Sequence, residues 1–126
     1  MRFFFKAKDG GPESRVWGYW LCEGKSSFSI ALLRFEDGSR EAFHSHAFNS
    51  ISLVLRGALF ETLRGGTGIA YWTGAIIRTY RETFHRVESY GRTWVLTFRG
   101  PWSKTWKEST PEAGVYELSS GRKRVS

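Results

Sequence analysis

The sequence predicts an all-β domain, a barrel or a sandwich, and three observations carry that reading. Aromatic residues make up 17% of the chain, and it holds 14 glycines but only 3 prolines, a balance that favours strands and turns over helices. Strand-like runs separated by glycine-containing turns recur along its whole length. No stretch of useful length shows a helical period.

In chain order, strands are expected at Arg15–Cys22 (RVWGYWLC), Phe28–Phe35 (FSIALLRF), Ser50–Leu55 (SISLVL), Ala58–Leu63 (ALFETL), Gly74–Thr79 (GAIIRT) and Thr93–Arg99 (TWVLTFR). Turns are expected at Glu36-Asp37-Gly38, Arg56-Gly57, Gly65-Gly66 and Tyr90-Gly91, where glycine supplies the backbone freedom a reversal needs. A chain of 126 residues fits one domain over 1–126 and buries roughly two thirds of its unfolded surface, enough to fold without staples. The candidate loose ends are residues 9–14 and a basic, flexible tail at about 119–126, with Arg122-Lys123-Arg124 as the one basic cluster.

The single cysteine, Cys22, cannot form an internal bridge, and it reads as a small buried hydrophobe rather than a nucleophile. A reducing cytoplasm is the expected compartment. No run approaches the roughly 18 apolar residues of a spanning helix, and Met1–Lys8 lacks the apolar region of a secretion signal. No membrane partner is therefore expected. Nineteen basic against twelve acidic side chains give +7, which suits a polyanionic partner. The arginines are spread along the chain rather than gathered, so nucleic-acid binding is disfavoured.

The chain holds three histidines. His44 and His46 are one residue apart, and in a strand they would present two imidazoles on one face while Phe43 and Ser45 face the other. His85, about forty residues on, is the remaining histidine able to complete a metal-binding set. The alternative is that each histidine packs or hydrogen-bonds independently.

Context makes the pattern specific. The segment 38–57 reads G-SREAF-H-S-H-AFN-S-ISLVLR-G, and the segment 74–85 reads G-AIIRT-Y-R-E-TF-H. These resemble the two motifs of the cupin superfamily, with Gly38, His44, His46 and Gly57 matching the first (38–57) and Gly74 and His85 the second (74–89). The 16 residues between Gly57 and Gly74 resemble the short connection of small single-domain cupins. The segment Trp94–Pro101 with Trp102 and Trp106 is also similar to small bacterial and phage cupins.

The resemblance implies a single-domain jelly-roll barrel with a divalent metal held by His44, His46 and His85. Ser50 stands where the superfamily's metal-binding glutamate would be, and Tyr80, Glu82 and Ser89 replace the second motif's proline, glycine and asparagine. Serine is a poor ligand beside imidazoles, so the first shell expected is three neutral histidines with positions left open. That looks like the three-histidine iron centre of thiol dioxygenases. A bulge at Glu61 or Glu82 could bring a carboxylate to the metal.

Strand alternation from Ser50 places Ser50, Ser52 and Val54 inward and Ile51, Leu53 and Leu55 outward. An outward aliphatic row is expected to pack on another sheet or a second subunit, which favours a homodimer. Thr93–Arg99 divides into Trp94, Leu96 and Phe98 against Thr93, Val95, Thr97 and Arg99, and one of the two sets is core. Around the second motif, Tyr80 and Arg78 are candidate catalytic groups, Arg78 as a bidentate partner for an anionic substrate if it points inward. Trp102 and Trp106 suit either a lid on the barrel mouth or edge packing.

The function expected is that of a mononuclear Fe(II) oxygenase acting on a small, anionic organic substrate. The alternatives are a non-redox isomerase, epimerase or hydrolase using zinc, nickel or manganese, and a non-catalytic ligand-binding barrel.

Overall fold

The computed structural model describes residues 1–9, 14–39, 43–63, 65–103, 105–110, 114–119 and 123–124. Twelve strands are found among them, with no helix, and all pair antiparallel in one continuous sheet. No helix of the structure is long and apolar enough to cross a membrane.

The chain begins with a meander. β1 (Arg2–Lys8) pairs with β2 (Val16–Glu23), and β2 pairs with β3 (Ser29–Phe35). Period-two alternation explains their placement, because Val16, Trp20 and Cys22 of β2 and Ala31 and Leu33 of β3 all turn inward and are buried. Two short strands follow, β4 (Gly38–Ser39) and β5 (Phe43–His44).

Two long strands then form the frame. β6 (Ser50–Leu63) has 14 residues and β9 (His85–Arg99) has 15. Between them lie β7 (Gly68–Trp72) and β8 (Ile76–Thr79), both paired with β6. The first half of β6 lies against the last half of β9, Ser50 opposite Arg99 and Val54 opposite Val95, and the second half continues to Leu63 opposite His85. On its other side β9 pairs with β3, β4 and β5. The described part of the chain ends with β10 (Thr105–Thr110), β11 (Gly114–Ser119) and β12 (Lys123–Arg124).

Two expected turns are not turns. Arg56-Gly57 lies within β6, where the register slips between Val54 and Arg56 and again between Arg56 and Ala58. The local conformation is a bulge that bends one strand rather than ending it, with Gly57 at φ 99°. Tyr90-Gly91 lies within β9, with Gly91 at φ 70° and its N–H donated to Asp37 Oδ1 at 2.9 Å. The other two expected turns fall between β3 and β4 and between β6 and β7. β1, β4, β7, β10, β11 and β12 and the first half of β9 have no counterpart among the strands the sequence predicts. Of the expected tail, Lys123–Arg124 pair with Leu118–Ser119, and residues 120–122 and 125–126 lie outside the described set, as do 10–13 of the expected N-terminal loose end.

The core is a cluster of Val16, Trp20, Ala31, Leu33, Val54, Leu59, Ile77 and Val95. Around it the faces of the sheet divide unusually. Ser29, Ser50, Ser52, Thr79, Thr93, Thr97 and Arg99 turn inward, whereas Ile51, Leu55, Ile76 and Phe98 are exposed on the outer face. The Thr93, Val95, Thr97 and Arg99 set is thus the inner one. A barrel with hydroxyls inside and aliphatics outside has an interior suited to more than packing, since burying polar groups is tolerated only where they find partners.

A candidate metal centre inside the barrel

Inside the barrel lies a cavity of about 110 Å³ whose wall includes His46, Glu61, Tyr71, His85, Arg99 and Asp9. That volume holds a few water molecules or a small organic molecule. Ser50 and Ser52 also line it, as their inward parity predicts. The Ser52 hydroxyl donates to Thr97 Oγ1 at 2.9 Å, so it is already engaged.

His85 opens β9 and is 3% exposed. Its Nδ1 lies 2.5 Å from Glu61 Oε2, and Glu61 reaches it because the β6–β9 register sets Glu61 opposite Val87 and Leu63 opposite His85. An Nδ1–H donated to that carboxylate fixes the tautomer and leaves the Nε2 lone pair pointing away. His85 Nε2 faces His46 Nε2 at 2.9 Å. The two rings meet edge to face with centroids 5.0 Å apart.

Tyr71 of β7 closes the far side of the carboxylate, its hydroxyl donating to Glu61 Oε1 at 3.3 Å. Burial raises the Tyr71 hydroxyl above its ordinary value, and the neighbouring Glu61 charge and the hydrogen bond add to this. The phenol therefore stays protonated and remains a donor near neutral pH.

Whether these residues suit the metal the motifs imply can be tested on their geometry. Two imidazole nitrogens about 2.1 Å from one ion and at right angles would stand about 3 Å apart, close to the observed 2.9 Å. A carboxylate behind one imidazole is the usual support for a metal-bound histidine. His46 and His85 thus fit a divalent ion. Among the described residues no group of three histidine, cysteine or acidic side chains forms a metal-binding cluster. The backbone of His44 lies opposite His85 across β5 and β9, while the His44 side chain lies outside the described residues. Glu61 stands behind His85 as a support.

Three expected residues sit elsewhere. Arg78 is opposite in parity to the buried Ile77 and lies on the outer face, where Tyr80 is also exposed, at 54%. Neither borders the histidine cavity. Both line a shallow outer groove with Phe28, Ile51 and Phe98. Glu82 is exposed and ion-paired with Arg81 at 3.1 Å.

Two arginines reach the cavity wall, Arg15 and Arg99, and the sequence reading assigned neither to the site; the buried one is Arg99. Its side chain is 4% exposed, and its Nη1 and Nη2 meet Asp9 Oδ1 and Oδ2 at 3.1 and 2.7 Å. The guanidinium lies 4.5 Å from the Phe48 ring centroid and 5.0 Å from that of Trp20. Its Nε–H has no partner among the described residues. Phe48 also touches His46, with ring centroids 5.2 Å apart, so one ring separates the cation from the imidazole pair. Trp102 packs against Phe48 at 5.3 Å and Trp106 against Trp102 at 5.7 Å, which favours edge packing of the tryptophans behind the site.

No protein-family model and no curated protein matches the sequence. Solved structures match at the level of architecture. A cupin superfamily protein from Desulfitobacterium hafniense aligns with a TM-score of 0.59 at 19% identity over 74% of this chain and 84% of its own. A protein described as a sugar phosphate isomerase from a cupin superfamily, from Silicibacter pomeroyi, aligns at 0.62 and 14% identity over 98% and 92%. An RmlC-like cupin from Shewanella frigidimarina aligns at 0.60 and 14% identity over 75% and 81%. At such identities the likeness speaks for architecture, and with the antiparallel strand order and the enclosed histidine pair it establishes that this chain has the cupin fold, a jelly-roll β-barrel.

Proposed function

We propose that the chain is a metal-dependent enzyme acting on a small, anionic organic molecule inside the barrel, with His44, His46 and His85 as ligands of Fe(II) and an oxygenase-type reaction. The observation that carries this reading is the approach of His46 Nε2 to His85 Nε2 at 2.9 Å on the wall of the barrel cavity, with the Glu61 carboxylate behind His85. A divalent ion there would supply Lewis acidity and, as Fe(II), redox access to dioxygen.

The chain's own residues supply the rest. Glu61 holds the His85 ring in one tautomer and orientation, and Tyr71 holds Glu61. Val87, Leu59, Ile77 and Val95 supply apolar wall to the chamber, and an apolar surrounding strengthens the polar contacts inside. Ser50, where a carboxylate ligand would stand in the motif, adds no charge, and a neutral donor set leaves the ion more positive toward an anionic substrate.

A second reading keeps the site and drops the redox step. Glu61 and His85 form a carboxylate–imidazole pair suited to moving a proton, and Tyr71 on the same carboxylate is a protonated donor. An isomerase or epimerase would use such a pair. The Silicibacter pomeroyi neighbour, described as a sugar phosphate isomerase, is in keeping with this.

Elemental analysis of untagged protein, paired with oxygen uptake after anaerobic Fe(II) loading against small thiols and carboxylates, separates the two. Stoichiometric iron with substrate-dependent oxygen uptake is the expected result. Zinc or nickel in an oxygen-inert protein would transfer the assignment to the proton-transfer reading. His85→Ala is expected to fold and to lose tight metal binding, and one retained metal per chain would overturn the site. Ser50→Glu is expected to add a fourth ligand and lower any activity that needs an open position; an unchanged metal spectrum counts against it.

A further inference from the structure

We infer that Arg99 is the recognition group for a substrate carboxylate, and that the Asp9 carboxylate occupies its fork as an internal stand-in which the substrate displaces. The inference rests on the proposed function in taking the histidine cavity as the reaction chamber.

The argument begins with an asymmetry between the partners. Arg99 is held still, 4% exposed and set against the Phe48 and Trp20 rings. Asp9 is 28% exposed at its side chain and follows the last residue of β1. A fixed cation facing a partly solvated anion is a site in which the anion can be exchanged, because water can take up the carboxylate that leaves. Asp9 also serves as a template. Its two oxygens meet two guanidinium nitrogens in the paired geometry that selects a planar carboxylate.

The rest of the guanidinium points the same way. A buried N–H without a partner costs free energy, and Arg99 Nε is one, so the group retains donor capacity that Asp9 does not use. Arg99 and Asp9 share the cavity wall with His46 and His85, and Phe48 touches both the guanidinium and the His46 ring. A molecule whose carboxylate replaced that of Asp9 would lie one ring width from the imidazole pair. The cavity, about 110 Å³, limits it to a small acid.

The test uses the full chain stripped of metal with a chelator, so that no bound ion competes for the probe. Acetate is the probe, acetamide the uncharged control and inorganic phosphate the alternative anion. Binding is read by calorimetry and by the Arg99 Nε–H resonance. In the unmutated protein acetate is expected to move that resonance and acetamide to leave it in place. Asp9→Asn is expected to bind acetate at least about tenfold more tightly, because an ionised competitor has been removed, while Arg99→Lys, which keeps the charge but lacks the fork, loses the gain.

An Arg99 resonance unmoved by saturating acetate overturns the inference, and that measurement needs no variant to fold. So does equal acetate affinity with and without the Asp9 carboxylate, and tighter binding of phosphate than of acetate would overturn the assignment to a carboxylate. An acetate response in a protein that takes up no divalent ion removes the metal and leaves Arg99 in its role. A metal-binding protein with a silent Arg99 does the reverse.

Discussion

Glu61 is the residue on which the histidine pair depends. Without its carboxylate the His85 Nδ1–H would face a buried site with its charged acceptor gone, and the ring would be free to reverse its tautomer. Glu61→Gln is therefore expected to weaken divalent-metal binding by roughly 10- to 100-fold while the barrel stays folded; competition against a chelator of known affinity measures it. Unchanged affinity would mean that the 2.5 Å contact orients nothing. His46 and His85 stood out through the motif resemblance, since spacing alone left independent packing open, and the structure sets their imidazoles side by side. Glu61 was legible only as one of two acids that a bulge could swing inward, since its partner is fixed by the register between β6 and β9, which no local pattern encodes. Arg78 and Arg99 illustrate the same limit. Both sit in alternating strands, but parity names two sets without saying which faces the chamber, and here the polar set is the inner one.

The bend in β6 operates at the scale of the element. Gly57 has φ 99°, and a Cβ there would stand 2.5 Å from Thr93 Oγ1 and 2.9 Å from the Arg92 carbonyl oxygen. Thr93 is fully buried. Its hydroxyl accepts from the Ala58 N–H at 3.2 Å and stands 3.1 Å from the Ala58 carbonyl, while Ser89 Oγ donates to it at 2.9 Å. From the other side, the Thr73 hydroxyl lies 3.2 Å from both the N–H and the carbonyl of Gly57. Two threonines thus pin the stretch where ladder pairing is broken, and the polar backbone is satisfied without a partner strand. Gly57→Ala is expected to destabilise the fold by about 2–4 kcal/mol, combining the positive φ with the close approach. Urea unfolding followed by circular dichroism measures this, and a loss below about 0.5 kcal/mol would show that the bulge tolerates a side chain. The glycine was conspicuous in the sequence, and a turn was the natural reading of Arg56-Gly57. Whether such a glycine ends a strand or bends it depends on Thr73 and Thr93, far along the chain.

The division of the sheet's faces becomes a property of the whole molecule, because hydroxyls, histidines and an arginine share the interior with the aliphatic core while a second set of apolar side chains stays outside. Phe28, Ile51, Leu55, Ile76, Tyr80 and Phe98 are 44–69% exposed, and β8, β6, β9 and β3 lie side by side beneath them. Apolar side chains gathered on one exposed face are the kind of surface a protein–protein contact covers. A second copy would set the same apolar surface against itself across a two-fold axis, with Arg78, opposite Ile51 in the register and between Ile76 and Tyr80, inside that face. The expected state is a dimer held by this face, as the aliphatic row Ile51, Leu53 and Leu55 suggests. Phe98→Asp combined with Ile51→Asp should turn it into a folded monomer, because neither side chain belongs to the core; sedimentation velocity reads the mass and near-UV dichroism the fold. Salt provides the decisive contrast. An apolar interface persists as ionic strength rises, whereas nucleic acid held by the net charge of +7 would be released, so an unmutated chain that sediments as a monomer at every salt concentration would refute the dimer.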